Sequence, residues 1–193
     1  MHKTVQNLIN IQNLIKSKLS DLKYIDRSPR IIAVSKTFKI EHITPLIEYG
    51  HTDFGENKVQ EAVEKWTSIK EDKRNLKIHL LGRLQTNKVK HAIKLFDFIH
   101  SLDSKKLAVK ISEEQKKQKI KPKIFIQINI GDESQKGGIK VNELEEFYKY
   151  CVDLGLDIIG TMCLPPISDE PEKYFLKMSS INDKLNFKES SMG

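Results

Sequence analysis

The sequence predicts an α/β fold in which one parallel sheet is covered by helices. Three observations point there. Strand and helix periods alternate regularly from residue 30 onward, the pattern of parallel βαβ units. Strands such as 124–130 (IFIQINI) are apolar almost throughout, as suits a sheet with helices over it. Unusual polar groups fall at the C-terminal ends of strands: Lys36, Glu56, Asn57, Gly82, Arg83, Asp103, Ser104, Asn129 and Ser191. That placement favours a TIM-type (β/α)8 barrel, whose function sits on this face. An open doubly wound sheet is the competing architecture. It calls for a glycine fingerprint after an early strand, and here Thr37, Phe38 and Lys39 follow the first one.

Each element has its own signal. Residues 4–22 read as a helix, with Val5, Leu8, Ile9, Ile11, Ile15 and Leu19 mostly at three- and four-residue steps. A strand at 30–36 is followed by a helix at 40–49, which Gly50 stops. A short strand at 51–55 leads to a helix at 57–70 with Val59, Val63 and Trp66 on one side. Next come a strand at 76–81, a helix at 86–95, a strand at 96–101, a helix at 104–119 and a strong strand at 122–130. A glycine-rich connection, 131–138, precedes a helix at 141–154 and a strand at 157–164. Pro165 and Pro166 end that strand, a last helix covers 170–185, and 186–193 begins a seventh strand. No linker divides the chain, so 1–193 is expected to be one barrel domain with 1–22 as an N-terminal helix. A closed barrel has eight strands. The expectation is therefore a barrel truncated at its C-terminus by about one helix, strand and helix, with the first and seventh strands left as edges.

The totals narrow the function classes. Hydrophobic residues make up 38% and charged residues 31% of 193, which fits a folded core and disfavours disorder. No apolar run approaches the roughly 18–20 residues that span a bilayer, and the N-terminus lacks a signal-peptide core, so no membrane partner is expected and cytoplasm is the default. Cys151 and Cys163 lack metal-ligand spacing and sit in apolar context, so both are expected to be buried structural thiols. The net charge of +7 raises an RNA-associated reading. Against it, lysines are spread over every helix, and the densest cluster, 116–123, carries no interleaved aromatic.

Lys36 carries the chemistry. Strand alternation puts Ile32, Val34 and Lys36 on one face, and Ile31, Ala33 and Ser35 on the other. On a barrel interior the amine would be partly desolvated at the rim. Desolvation favours the neutral, nucleophilic form of an amine, which can make a Schiff base. A strand-ending lysine that reaches out to water is the plainer alternative.

Several stretches occur in order across about 30–193: AVSKT at 33–37, FGENKVQE at 54–61, HLLGRLQTNK at 79–88, QINI at 127–130, SQKGG at 134–138, GTM at 160–162 and SMG at 191–193. Together they resemble the pyridoxal phosphate homeostasis protein family, relatives of the N-terminal barrel of alanine racemase. The resemblance implies that Lys36 holds pyridoxal 5′-phosphate as a Schiff base. It places Asn57 at the cofactor edge, Met162 on the pocket wall, and Ser191 and Gly193 at the start of a phosphate-binding turn. The family continues past this serine to an Arg-Ile-Gly segment, which is not in these 193 residues, so only part of the phosphate cradle is expected here.

Other assignments stay open. Asn57 also suits an N-cap, and Met162 plain core. His79 fits a hydrogen-bonded core residue. Arg83 and Lys88 could hold an acidic ligand or face solvent. Glu56 could orient Lys36 or Asn57, or serve as a helix N-terminal acid. The 134–138 loop could be a lid.

The resemblance implies a cofactor-binding protein that helps control intracellular pyridoxal phosphate, monomeric, with apo-enzymes as recipients, and not a demonstrated catalyst. Racemisation would need a second base opposite Lys36. Alanine racemase takes a tyrosine from another domain for this, and Tyr24, Tyr49, Tyr148, Tyr150 and Tyr174 all fall on or beside predicted helices. A weak amino-acid racemase is the second reading.

Overall fold

A computed structural model describes residues 1–24, 28–131, 137–166 and 169–193. Its elements, in order, are α1 (Lys3–Asp21), β1 (Ala33–Val34), α2 (Ile40–Glu48), β2 (Asp53–Glu56), α3 (Val59–Asp72), β3 (Lys77–Leu80), α4 (Val89–Leu95), β4 (Phe98–Leu102), α5 (Lys105–Gln118), β5 (Lys123–Gln127), α6 (Leu144–Asp153), β6 (Asp157–Cys163), α7 (Pro171–Lys184) and β7 (Glu189–Met192). Two predicted helices begin with a tighter turn: Thr86–Lys88 precedes α4 and Val141–Glu143 precedes α6, each as a 3-10 helix.

The strands form one parallel sheet in sequential order, β1 to β7. A doubly wound sheet reverses its strand order at a switch point. This sheet never reverses, so it winds as a barrel does. Its curl brings the two ends near each other: Arg30, just before β1, lies 3.7 Å from Asp53 of β2 and 4.0 Å from Glu189 of β7. Among the described residues β1 and β7 are the two edges of the sheet.

β1 is much shorter than its sequence predicts. As an edge it pairs only with β2, and two residues register there, Ala33 with Phe54 and Val34 with Gly55. The ladder ends because Thr37 turns to a φ of 66°.

Pleating sorts the residues between two environments. Ile78 and Leu80 of β3, Ile99 of β4, and Ile124 and Ile126 of β5 face the helices, joining Phe54, Trp66 and Ile111 in the main core. The inner face holds a small cluster, Phe98, Phe125 and Met162. A register shift between Ile99 and Leu102 turns Leu102 outward to the core. α1 buries Val5 and Leu8 and packs on α2, whereas Ile11 stays exposed. Cys151 and Cys163 are both buried, and desolvation pushes the Cys151 thiol up to about 12. No helix among the described residues is long and apolar enough to cross a membrane.

Candidate functional site

The curled sheet encloses a cavity of about 800 Å³ that runs from Arg30 and Glu189, at the N-terminal ends of β1 and β7, to the C-terminal ends of the strands. Its walls include Val34 and Lys36 after β1, Asn57 after β2, His79 and Arg83 around β3, and His100 and Asp103 around β4. Phe125 and Gln127 come from β5, Met162 from β6, and Ser191 and Gly193 from the β7 end. Lys36, Asn57, Met162, Ser191 and Gly193, distant in sequence, thus share one concave space.

Lys36 points into it because its neighbours are tied on the other side. Ser35 is buried and donates through Oγ to Glu56 Oε1 at 2.8 Å. Lys65 Nζ donates to the Ser35 carbonyl at 2.8 Å and to Glu56 Oε1 at 2.9 Å. Trp66 Nε1 donates to the same oxygen at 2.9 Å. The Thr37 N–H donates to Glu61 Oε1 at 2.6 Å. Positive φ is rare for a β-branched residue and costs energy that surrounding contacts must offset. Alternation then sends the Lys36 side chain inward. The desolvation expected from the sequence is not found: Lys36 is exposed, because β1 is an open edge beside the cavity mouth.

Glu56 orients neither Lys36 nor Asn57 directly. It is fully buried on the helix side of β2 and acts on Ser35. Asn57 is not the cap of α3; that position is Lys58, which makes no side-chain cap. Asn57 instead meets Gly82 so closely that a Cβ there would stand 2.2 Å from the Asn57 carbonyl oxygen. Met162 is 4% exposed, lining the cavity with Phe125 and packed in one cluster with Phe125 and Phe98, so it is at once wall and core. The Gly193 N–H, expected as a phosphate donor, is instead spent on the Cys163 carbonyl at 3.3 Å, the ordinary next rung of a parallel ladder.

Arg83 lines the cavity with an exposed side chain 3.9 Å from Asp103. Lys88 lies in the 3-10 turn and not among the cavity walls. Ser134, Gln135 and Lys136 of the expected lid lie outside the described residues. Tyr148, Tyr150 and Tyr174 belong to α6 and α7 and pack against the main core.

His79 is 1% exposed and hydrogen-bonded, as its strand context predicts. Its partners were not legible: Asp53 Oδ1 at 3.1 Å, and His100, whose Nε2 lies 3.0 Å from His79 Nδ1. His100 Nδ1 in turn lies 2.7 Å from Ser191 Oγ. Burial, then the charges of His79 and Arg30, push the His100 imidazole down to about 3. The available signal was period two on adjacent strands, which puts Phe98 and His100 on the same face as His79.

The donor set fits a small molecule bearing an aldehyde at one end and an anion at the other. An exposed primary amine stands in the same cavity as a hydroxyl, two guanidinium groups (Arg30 and Arg83) and an aromatic and thioether floor. The volume lies within the range of small-molecule sites.

Comparison with known proteins agrees with this geometry. Residues 12–188 match the family model described as alanine racemase, N-terminal domain. The chain is 36% identical to the pyridoxal phosphate homeostasis protein of Aquifex aeolicus, over 81% of this chain and 69% of that protein. It is also 36% identical to the protein of that name from Pasteurella multocida, over 93% of this chain and 79% of the relative. Among solved structures it is similar to PipY of Synechococcus elongatus, at 29% identity and a TM-score of 0.78 without PLP, covering 93% of this chain and 88% of that one. The PLP-bound form of PipY superposes over the same shares at 28% identity and a TM-score of 0.73.

Proposed function

We propose a function from one premise: the chain belongs to the pyridoxal phosphate homeostasis protein family, built on the alanine racemase N-terminal domain. On that premise it binds pyridoxal 5′-phosphate and takes part in intracellular control of that cofactor. The observation that supports this most is the shared cavity of Lys36, Asn57, Met162, Ser191 and Gly193.

In this reading Lys36 Nζ is the amine that condenses with the cofactor's aldehyde, losing water. Asn57 sits at the ring edge, held there by the close Gly82 turn. Met162, with Phe98 and Phe125 behind it, closes the floor against water. Ser191 Oγ holds the phosphate end, with Gly193 beside it on the cavity wall and Arg30 and Arg83 adding positive charge to the same cavity. When bound, the cofactor supplies an electron-withdrawing ring. The chain works as a monomer in the cytoplasm and hands cofactor to apo-enzymes.

Purified protein incubated with pyridoxal 5′-phosphate should gain a visible absorption band that borohydride abolishes. Mass spectrometry should then place the reduced label on Lys36, and Lys36→Ala should show neither band nor label. A label on another residue, or a band in Lys36→Ala, overturns the reading.

A further inference from the structure

Four side chains form a line through the inner face of the sheet: Asp53 on β2, His79 on β3, His100 on β4 and Ser191 on β7. Every link is short enough to need one proton, at 3.1, 3.0 and 2.7 Å in turn. The directions follow from Asp53. Burial opposes its charge, but hydrogen bonds from His79 and Thr52 and the charge of Arg30 outweigh that and hold the carboxyl below its ordinary range. Asp53 therefore accepts, and His79 Nε2 carries the proton. In the state where His79 carries that one proton alone, its Nδ1 is bare, so His100 donates from Nε2 and its own Nδ1 is bare. The Ser191 hydroxyl must then donate to His100. It presents only lone pairs to the cavity, the wrong polarity for an anion.

We propose that Asp53, His79 and His100 set the direction of the Ser191 hydroxyl, and that an oxyanion such as a phosphate monoester is captured there only when this line takes up one proton and reverses. The inference rests on the reading of Ser191 as a phosphate contact. In the reversed state His79 is an imidazolium between Asp53 and His100. His79 Nδ1–H donates to His100 Nε2, His100 Nδ1–H donates to Ser191 Oγ, and the Ser191 O–H turns to the anion. The protons balance. Ser191 passes its proton to His100 Nδ1 and takes another from a monoanionic phosphate or from hydronium, while His100 passes its Nε2 proton to His79. The protein gains one proton and no electrons move.

His79 is the ring of this line that touches the carboxylate directly. Asp53 is its direct counter-charge, and its ring stacks on Phe98 at 4.3 Å. His100 stacks on Phe125 at 4.4 Å, further from any carboxylate in the line. The cations facing the group are Arg30, 3.7 Å from Asp53 and 5.3 Å from the Phe98 ring, and Lys123 of β5, 5.8 Å from that ring. Glu189 of β7 lies 4.0 Å from Arg30 and offsets it. Lys36, Arg83 and Asp103 complete the charged groups of the cavity. Asp53, His79 and His100 are thus positioning residues that act through Ser191.

Sulfate is a suitable probe because its own charge is constant near neutrality. In the wild-type chain its affinity should fall as pH rises, by at most about tenfold per pH unit, the slope of a one-proton linkage. Nitrogen-15 NMR of histidine-labelled protein should show His100 moving from the Nε2–H to the Nδ1–H tautomer, and His79 becoming doubly protonated, as sulfate saturates. His79→Gln should flatten the pH slope. If that buried change unfolds the chain, Ser191→Ala, at the half-exposed end, should both flatten the slope and leave His100 as Nε2–H. A pH-independent sulfate affinity, an unmoved His100 tautomer at saturation, or no sulfate binding overturns the proposal. The absorption band with pyridoxal 5′-phosphate separates the two readings. A band without the tautomer change removes the relay alone, and a sulfate-driven tautomer change without a band removes the cofactor reading alone.

Discussion

Glu61 Oε1 accepts the Thr37 N–H at 2.6 Å, across 24 residues of sequence. The bond holds a threonine at a φ of 66° directly after Lys36. A β-branched side chain does not hold that backbone unaided. Glu61 on α3 thus fixes where β1 stops and where the Lys36 side chain begins.

That bond predicts a pH signature. The Thr37 N–H, against some desolvation and with help from Lys65, holds the Glu61 carboxyl below its ordinary 4.5. A depressed carboxyl stabilises the fold above its unfolded pKa and loses that contribution as pH falls through its folded value. Glu61→Gln should therefore cost about 1 kcal/mol near neutrality. The difference in thermal midpoint from wild type should shrink below pH 4.5 and vanish once Glu61 is protonated in the fold. A constant difference across acid pH would show that the charge plays no part.

Glu56 should be far more sensitive. Its Oε1 receives Ser35, Lys65 and Trp66, and Lys65 is itself only 9% exposed. Glu56→Ala takes from a buried ammonium the nearer of its two carboxylates, leaving Glu61 Oε1 at 3.3 Å, and also strips Ser35 and Trp66 of their acceptor, which together cost about 3–5 kcal/mol. Denaturant unfolding measures the loss. A cost under about 1 kcal/mol would mean that Glu61 and water suffice for Lys65.

Gly82→Ala tests whether Asn57 must sit where it does. The added methyl would stand 2.2 Å from the Asn57 carbonyl oxygen and 2.7 Å from its Cα, both backbone, so the turn has to move. Overpacking of this kind costs about 1–3 kcal/mol. Cofactor affinity, read from the visible band, should fall by more than the stability loss explains. Unchanged affinity in a folded variant would remove Asn57 from the site.

Asn182 secures β7. It is 3% exposed, accepts from Thr161 Oγ1 at 2.6 Å, and donates to the Glu189 carbonyl at 3.0 Å and to Ser190 Oγ at 2.8 Å. Asn182→Ala strips two bonds from the edge strand β7 and one from Thr161 of β6, and should cost about 2–3 kcal/mol. Hydrogen exchange should quicken in β7 before the rest of the sheet, carrying Ser191 with it. Uniform acceleration across all strands would show instead that β7 has no separate stability.

Much of the fold was legible because parallel α/β units write themselves in local periodicity. Every predicted strand and helix has its counterpart, with ends displaced by a few residues. The larger departures, at β1 and at the 3-10 entries to α4 and α6, come from edge pairing and turn tightening, which no local window contains. Lys36 stood out as a lysine ending an apolar strand, and Ile32, Val34 and Lys36 do share the cavity side. Its expected desolvation failed because burial depends on neighbours β1 does not have.

The sequence by itself determined the order of strands and helices, the face each strand residue takes, and the lysine that ends β1. Those follow from bond geometry and side-chain hydrophobicity within a few residues. Only the tertiary structure decided that Asp53, His79, His100 and Ser191 meet in one line, and that Glu61 reaches Thr37. Such contacts depend on how far a sheet curls and how neighbouring strands register, and both are set by packing across the whole core.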